Sequence, residues 1–418
     1  MRVLWFTNNP CKYESLDRRS GYNGGGWMTA LQEKITEVAD IDLGICFIYT
    51  GVYEKEVQKG VYYYHFPHPK KSIRERIYET IHINNVTLEE PRWQYYINNF
   101  SRVINDFKPD VIHVFGSELY MGLVTFATDR PLVLHIQGIL NTCYDALYGA
   151  GISRRDFIFQ DYNPINILKR YKDDIWWRRN CYRERVCLKH IKHFIGRTEW
   201  DKRVISILSP NSIYHIGEEI MRGPFYRPKR RALPQKLIIN SVISAASYKG
   251  FDLILKIADI LKNKMQLTFE WNVYGNVDPS FAIHETRLHP SSLNVRLNGV
   301  VTAEQLRDIH SEGTVYYHSS YIENGCNAII EAQMCGCTPI ANYVGGLSTT
   351  IQDGNTGYLV PANDKYQAAY LIKWLYEHPK ENLEIGVNAA KEAFYRHNEQ
   401  QIMDDLIEIY KKIIIDAK

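Results

Sequence analysis

Two glutamates, Glu323 and Glu331, have the spacing to bind one hydroxylated ligand from both sides. The residues between them carry no charge: Asn324, Gly325, Cys326, Asn327, Ala328, Ile329 and Ile330. Carboxylates accept hydrogen bonds from hydroxyl groups, so the pair suits a ligand with a hydroxylated ring at each end. Two glutamates at this spacing also occur on solvated helix faces, but the small and apolar residues around them disfavour that interpretation.

The elements that carry the glutamates are predicted to be a strand, a loop and a helix. The apolar run at 315–317 predicts a buried strand, and Ala328 to Cys335 predicts a buried helix that Gly336 would end. This order places the helix N-terminus at the carboxyl end of a parallel strand, where free N–H groups and the helix dipole favour a phosphate. Gly325 would let the backbone approach the ligand closely. A nucleotide-sugar, with a diphosphate between two rings, has the matching shape.

The whole segment from Val315 to Pro361 resembles the Glu-x7-Glu signature of the retaining glycosyltransferases of family 4 and the residues that follow it. The similarity continues through residues 336–341, 345–346 and 353–360. It implies an α/β protein of the GT-B fold, in which two Rossmann-like domains with parallel sheets face each other across a cleft. It also implies sugar transfer from a nucleotide-diphosphate sugar, without metal or other cofactor. In that family, Glu323 would bind the transferred sugar and Glu331 the ribose.

Length and composition agree with a two-domain enzyme of ordinary composition. The 418 residues favour two or more domains, and a net charge of +3 does not indicate nucleic-acid binding. The eight cysteines form no Cys-x-x-Cys pair, so a reducing compartment is expected and a zinc site is not. The apolar start is too short for a signal peptide, and no window reaches the length of a membrane helix. We expect a cytoplasmic protein that touches a membrane without crossing it.

The predicted domain organisation is an N-terminal, acceptor-side domain over residues 1–215, a linker over 216–235 and a nucleotide-sugar domain over 236–398. Proline and basic residues between Arg222 and Pro234 mark the linker. Phe194 to Gly196 is predicted as the last strand of the first domain. The periodicity of residues 399–418 predicts a final helix, which in GT-B enzymes crosses back to the first domain.

Three features of the first half are candidate ligand contacts or metal ligands. By the resemblance, Gly25 and Gly26 face the donor diphosphate across the cleft, in a glycine-rich loop that precedes a predicted helix. His135, at the end of a predicted strand, is either a core residue or, by the resemblance, a partner of the transferred sugar. Asp40 and Asp42 form an Asp-x-Asp pair, but they merely precede an apolar strand, so no metal site is predicted.

Lys249 is the candidate diphosphate partner in the second half, because it offers a point charge beside a predicted helix start. The family also has an arginine a few residues earlier, and this chain has Ser244 in that region instead. Arg197 or Arg222 are the candidates for replacing the missing charge. By the resemblance, the loops at Gly275 and Gly299 hold the nucleobase through backbone groups.

The basic and aromatic region 169–192 has two interpretations. It is either a solvated helix with a half-buried aromatic stripe or a surface for anionic lipid head groups or a lipid-diphosphate acceptor. The binding partners expected from the resemblance and from this region are a nucleotide-sugar donor, a glycan or lipid-diphosphate-linked acceptor and a possible membrane surface. No nucleic-acid partner is expected.

Two alternatives to transfer remain open at this stage. A nucleotide-sugar epimerase of the same fold would use the same donor contacts, and a non-catalytic binding or scaffold protein would keep the fold alone. A nicotinamide dehydrogenase is disfavoured because no Gly-x-Gly-x-x-Gly follows the first strand.

Overall fold

The computed structural model describes residues 1–14, 26–149, 152–161, 163–229, 231 and 234–417. Within these residues the strands form two separate sheets. The strands of the first sheet are β1 (Arg2–Thr7), β2 (Asp42–Ile48), β3 (Glu54–Gln58), β4 (Val61–Phe66), β5 (Val111–Phe115), β6 (Leu132–His135), β7 (His193–Gly196) and β8 (Ile213–Ile216). The strands of the second are β9 (Leu237–Val242), β10 (Phe269–Tyr274), β11 (Val295–Leu297), β12 (Val315–His318), β13 (Pro339–Asn342) and β14 (Tyr358–Val360).

The first sheet has the order β3-β4-β2-β1-β5-β6-β7-β8, and its strand pairs are parallel except for β3 with β4. Its central strand, Arg2–Thr7, is buried from Val3 onward, as expected for a parallel strand covered on both faces. The prediction that Phe194 to Gly196 is the last strand of this half is wrong, because β8 follows it and pairs with β7. The short, half-exposed run of β8 lacks the apolar pattern that marks a central strand.

The second sheet is fully parallel and has the order β11-β10-β9-β12-β13-β14. The strand order reverses between β9 and β12. In open α/β sheets, ligands bind outside the carboxyl ends of the strands at such a reversal. The candidate phosphate site follows β12 directly, so it lies at this point of the sheet.

Helices connect the strands in both halves. Those of the first half are α1 (Gly26–Ile35), α2 (Ile73–Ile81), α3 (Glu90–Phe107), α4 (Leu140–Asp145), α5 (Arg154–Ile158), α6 (Pro164–Leu188) and α7 (Glu199–Leu208). Those that follow are α8 (Phe251–Asp259), α9 (Ser280–Thr286), α10 (Ala303–Glu312), α11 (Asn327–Met334), α12 (Leu347–Thr350), α13 (Lys365–Glu377), α14 (Pro379–Arg396) and α15 (Glu399–Asp416).

The final helix, α15, packs on the first sheet although the second sheet precedes it in the chain. Its residues Leu406, Tyr410 and Ile413 share a buried cluster with Trp5 of β1. The Tyr410 hydroxyl accepts a hydrogen bond from the Trp5 indole nitrogen at 3.3 Å. This helix therefore ties the end of the chain to the first strand. None of the helices formed by the described residues combines the length and apolar content that crossing a bilayer requires.

Candidate active site

The helix α11 presents an uncapped N-terminus at the carboxyl end of β12. It begins at Asn327, one residue before the predicted start, and Cys326 at the cap position makes no side-chain hydrogen bond to the helix. Ile329, Ile330 and Ala332 are buried, which explains why this segment forms a helix inside the second half. Unpaired N–H groups at a helix N-terminus attract anions, so the start of α11 can bind a phosphate.

Glu323 and Lys249 form a close ion pair beside this helix start. The Lys249 ammonium lies 2.7 Å from Glu323 Oε2, and the two side chains are only 18% and 15% exposed. His318 Nε2, at the end of β12, lies 3.1 Å from the same carboxylate oxygen. One acidic and two basic side chains therefore converge at the switch point of the second sheet.

The glycine turn at Gly345 and Gly346 holds the backbone of Glu323 in place. The Gly346 N–H donates to the Glu323 carbonyl at 3.0 Å. At Gly345, φ is +52° and a Cβ atom would lie 1.8 Å from the same carbonyl oxygen. Only glycine fits so close an approach in this backbone region, so the turn fixes the position from which the carboxylate extends.

The ionisation of these groups follows from burial and from their mutual contacts. Burial would raise the pKa of Glu323, but Lys249 and His318 outweigh burial and hold that pKa below its ordinary value. Burial would lower the pKa of Lys249, and the Glu323 charge raises it above its ordinary value instead. For His318, burial lowers the pKa, but Cys326 and Glu323 outweigh it and raise the pKa to about 9. At neutral pH the cluster holds a carboxylate between two cations.

We expect the free energy of unfolding to fall as the pH rises from about 7 towards 9, because over this range His318 keeps its proton in the folded state but has already lost it in the unfolded state. A group whose pKa is raised in the folded state adds stability that is complete below its ordinary pKa, and this stability is lost as the pH passes the raised value. Urea unfolding at several pH values should show a shallower decline for His318→Gln.

The buried His310 supplies the control for this pH experiment. Burial lowers its pKa to about 3, so its contribution changes only below the ordinary histidine pKa of 6.5. His310→Gln should therefore leave the slope at alkaline pH unchanged. Equal slopes for the wild type and His318→Gln would contradict the protonated state assigned to His318.

Glu331 lies in the second turn of α11 and contacts the segment that links the two sheets. Its Oε1 accepts a hydrogen bond from Arg222 Nε at 2.7 Å and forms an ion pair with Arg222 Nη2, also at 2.7 Å. Burial raises the pKa of Glu331, and the Arg222 charge only partly opposes this. The carboxylate is thus oriented by Arg222 at one oxygen.

Arg197 and Thr198, which follow β7 of the first sheet, contact the loop before α11. The Arg197 guanidinium donates to the Gly325 carbonyl and, from Nη1, to Asn327 Oδ1 at 2.6 Å. The Thr198 hydroxyl donates to Asn324 Oδ1 at 2.9 Å. The loop of the second half that carries the candidate phosphate site is therefore in direct contact with the first half.

The close neighbour of Gly325 in the structure is the Arg197 side chain, whereas the sequence predicts a ligand at this position. A Cβ atom there would lie 2.5 Å from Arg197 Nε. The glycine thus makes room for an arginine side chain of the first half. Whether the backbone at Gly325 also approaches a ligand stays a prediction.

Glu219 is a functional candidate that sequence reasoning missed. It is completely buried, and its Oε2 lies 2.8 Å from Arg197 Nη1 and accepts from Asn327 Nδ2 at 2.7 Å. Burial raises its pKa, and Arg197 opposes this. An acidic pair such as Glu218-Glu219 resembles an exposed loop in the sequence, so no local signal reveals this contact.

The remaining predicted site residues are scattered around this cluster. His135 is buried against Trp27, with ring centroids 5.0 Å apart, and burial lowers its pKa to about 3, with the Arg197 charge adding to this. Among the described residues, neither ring nitrogen of His135 has a hydrogen-bond partner, and its role at the sugar stays a prediction. Gly25 lies outside the described residues, whereas Gly26 begins α1 with φ of +61°.

Gly275 and Gly299 lie together at the ends of β10 and β11. The Gly275 N–H donates to the Gly299 carbonyl at 2.8 Å. At Gly275, φ is +107° and a Cβ atom would lie 2.0 Å from the Ile243 carbonyl oxygen. The two loops are therefore packed backbone against backbone, and their contact with a nucleobase stays a prediction.

A cavity of about 640 Å³ lies beside this cluster, between the α5–α6 region of the first half and the loops after β9 and β10. Tyr148, Phe157 and Trp177 line one side, and Ser244 and Phe281 line the other. Ser244 belongs to the stretch in which the family's arginine is missing. Among the described residues, none of those predicted to bind the donor lines this cavity, so the Lys249–Glu323 pair lies outside it.

Comparison with known families gives a match to one family model in the second half of the chain. Residues 224–392 match the model of the family described as glycosyl transferases group 1. The GPI3 subunit of the phosphatidylinositol N-acetylglucosaminyltransferase of Saccharomyces cerevisiae is 27% identical over 178 residues, which cover 41% of this chain and 38% of that protein. The D-inositol 3-phosphate glycosyltransferase of Rhodococcus erythropolis is 30% identical over 298 residues, or 70% of this chain and 54% of that protein. The chain thus spans about two fifths of the first of these relatives and about half of the second.

Solved structures resemble the chain over nearly its whole length. Sucrose-phosphate synthase from Thermosynechococcus elongatus superposes with a TM-score of 0.72 at 16% identity and covers 99% of both chains. HepE from Anabaena, solved in complex with UDP and glucose, has a TM-score of 0.65 at 13% identity and covers 98% of this chain and 99% of its own. These similarities confirm the predicted GT-B fold.

Proposed function

We propose that this chain, which carries a group 1 glycosyl transferase domain in a GT-B fold, transfers a sugar from a nucleotide-diphosphate sugar to a glycan or lipid-linked acceptor. The anomeric configuration is retained. The observation that carries the proposal is the buried Lys249–Glu323 pair beside the uncapped N-terminus of α11. A cation and free N–H groups suit a departing diphosphate, and a carboxylate suits the hydroxyls of the sugar attached to it.

Each residue of the cluster has one task in this mechanism. Lys249 and the N–H groups of Asn327 and Ala328 stabilise the negative charge that develops on the leaving diphosphate. Glu323 binds hydroxyls of the transferred sugar and orients its anomeric carbon. Glu331, oriented by Arg222, binds the ribose hydroxyls through its second oxygen. The leaving phosphate takes the proton of the acceptor hydroxyl, so no covalent nucleophile and no metal is part of the proposal.

Arg197 supplies the charge that the family places before Lys249. Arg222, the other candidate, forms a hydrogen bond and an ion pair with Glu331, so it is engaged on the ribose side. The Arg197 guanidinium already contacts Gly325 and Asn327, the residues that flank the start of α11. When a diphosphate binds there, Arg197 can exchange these contacts for phosphate oxygens, with which a guanidinium forms two parallel hydrogen bonds.

The acceptor is a hydroxyl-bearing glycan or a lipid-diphosphate-linked glycan, as in the building of surface polysaccharides. A lipid-linked acceptor would bring the enzyme to a membrane surface, the contact predicted for residues 169–192. Two of the relatives are named for inositol-containing acceptors, which supports an acceptor with a ring of hydroxyls next to a phosphate.

A panel of nucleotide-sugars tested by thermal shift identifies the donor, because a ligand that binds only the folded state stabilises it by RT ln(1 + [L]/Kd) and so raises the melting temperature. We expect one nucleotide-sugar to stabilise the protein more than its free nucleoside diphosphate does. Incubation of that donor with oligosaccharide and lipid-linked acceptors, followed by NMR of the product, should show the anomeric configuration of the donor.

The products also separate the alternatives. An isomerised nucleotide-sugar formed without acceptor would show an epimerase. Stabilisation by a donor with no product under any condition would favour a binding or scaffold protein. A product with inverted configuration would contradict the retaining mechanism.

A further inference from the structure

The helix α2 exposes its apolar side chains to solvent. It buries no residue, and Ile73, Ile77 and Ile81 are 77%, 56% and 69% exposed. Tyr78 is 55% exposed. A surface helix of a globular protein usually turns its apolar residues towards the core and its charged residues outward. The orientation of α2 is the reverse of this rule.

Ion pairs to α3 impose this orientation. Arg92, near the start of α3, lies 2.7 Å from Glu79 Oε1 and 3.4 Å from Glu75 Oε1. At 3.6 residues per turn, the two glutamates lie on the side of α2 opposite to its three isoleucines. The acidic face is therefore attached to the protein, and the isoleucine face points away from it.

Cationic side chains flank the exposed isoleucines. Lys70, Arg74 and Arg76 are exposed, and none has an ion-pair partner in the part of the chain that the structure describes. A short helix with an outward apolar face and neighbouring cations suits the boundary between anionic head groups and acyl chains. We propose that α2 is a docking surface for an anionic lipid bilayer, with its isoleucines inserted below the head groups.

The charges of α2 favour a bilayer over a second copy of the chain. In a two-fold pairing of α2 helices, the cations of one copy would meet the same cations of the other. The acids that would neutralise them, Glu75 and Glu79, are already bound to Arg92 on the inner side. Anionic lipid supplies the missing negative charge without this repulsion.

The basic region 169–192 is less suited to docking on an anionic bilayer than its composition indicates. Arg170 is paired with Asp161, and Arg179 donates to the Ile83 carbonyl. Arg183 is buried and donates to the Leu119 carbonyl. Three of the nine cations in this region thus hold the first half together, whereas α2 combines exposed cations with an outward isoleucine face.

Sedimentation with vesicles tests the docking surface. The purified chain is mixed with vesicles of phosphatidylcholine alone or of phosphatidylcholine with phosphatidylglycerol. We expect it to pellet with the anionic vesicles and to be released by salt. Ile73→Ser/Ile77→Ser/Ile81→Ser should lower the partition coefficient by about 10-fold or more, since each isoleucine contributes buried apolar area. Lys70→Gln/Arg74→Gln/Arg76→Gln should lower it by a similar factor and remove most of the salt dependence.

A matched triple variant removes exposed aliphatic residues elsewhere. Ile207, Val387 and Ile415 are 76%, 66% and 67% exposed and lie on α7, α14 and α15. Their replacement by serine should leave the vesicle-bound fraction unchanged. Equal binding of the wild type and the α2 triple variant would overturn the inference. It would also be overturned by a wild-type dimer that the α2 variant converts to monomer in gel filtration. Vesicle binding requires no donor, so its failure is separate from a failure of the proposed transfer reaction.

Discussion

A Lys249→Met variant is expected to lose about 100-fold or more in kcat/KM for sugar transfer, the loss typical of removing one preorganised group that stabilises a developing charge. Its free energy of unfolding should fall by about 3 kcal/mol or less, because the buried Glu323 carboxylate would keep only His318, at 3.1 Å, as a cationic partner. The ion pair is 2.7 Å long and less than a fifth exposed on either side, so water would replace little of the lost interaction. Initial rates at saturating acceptor and urea unfolding measure the two effects.

Two further variants separate catalysis from stability at Lys249. In Lys249→Met/Glu323→Gln the buried carboxylate is removed and His318 can lose its proton, so most of the stability should return. Transfer should stay low, because the proposed contacts to the diphosphate and to the sugar are both lost. Lys373 on α13 offers an exposed ion pair with Glu377, 35% and 45% exposed, as a control. Lys373→Met should cost about 1 kcal/mol or less and leave transfer unchanged. Full transfer activity in Lys249→Met would exclude the lysine from the diphosphate site.

Local sequence pattern was sufficient to predict the elements that build the candidate site. The apolar runs at 315–317 and 328–335 correspond to β12 and α11, and the predicted ends differ from the observed ends by about one residue. Gly336 follows α11 with φ of +70°, as a helix-ending glycine should. These features depend on residues that are neighbours in the chain, so the sequence contains the information directly.

Contacts between distant residues could not be predicted in the same way. The partners of Gly325 and Asn327 come from Arg197, about 130 residues earlier, and no spacing rule links them. Glu219 is an acid that only the packed structure identifies as buried. The edge strand β3, Glu54–Gln58, is mostly exposed and carries three charges, so its sequence resembles a loop. Such features depend on the tertiary arrangement, whereas a family resemblance transfers only the residues that its motif contains.

An Arg197→Met variant is the second change with a large expected effect. It removes the guanidinium that joins Glu219, Asn327 and the Gly325 carbonyl, and it leaves a completely buried carboxylate without its counter-charge. We expect a loss of about 3–5 kcal/mol in the free energy of unfolding. If Arg197 also binds the diphosphate, transfer should fall by about 100-fold, with a weaker thermal shift from the nucleoside diphosphate.

A loss of stability alone would not establish that Arg197 binds the diphosphate. The double variant Arg197→Met/Glu219→Gln separates the loss of stability from the loss of diphosphate binding. Without the buried charge, this double variant should regain most of its stability and keep the amide contact to Asn327. Lys202→Met, on the exposed surface of α7, controls for the general loss of a cation in this region. Because the double variant is folded, any remaining deficit in diphosphate binding belongs to the guanidinium itself. If the double variant fully recovers both transfer and diphosphate binding, Arg197 only neutralises Glu219. The positive charge opposite the leaving group would then come from Lys249 and the N-terminus of α11 alone.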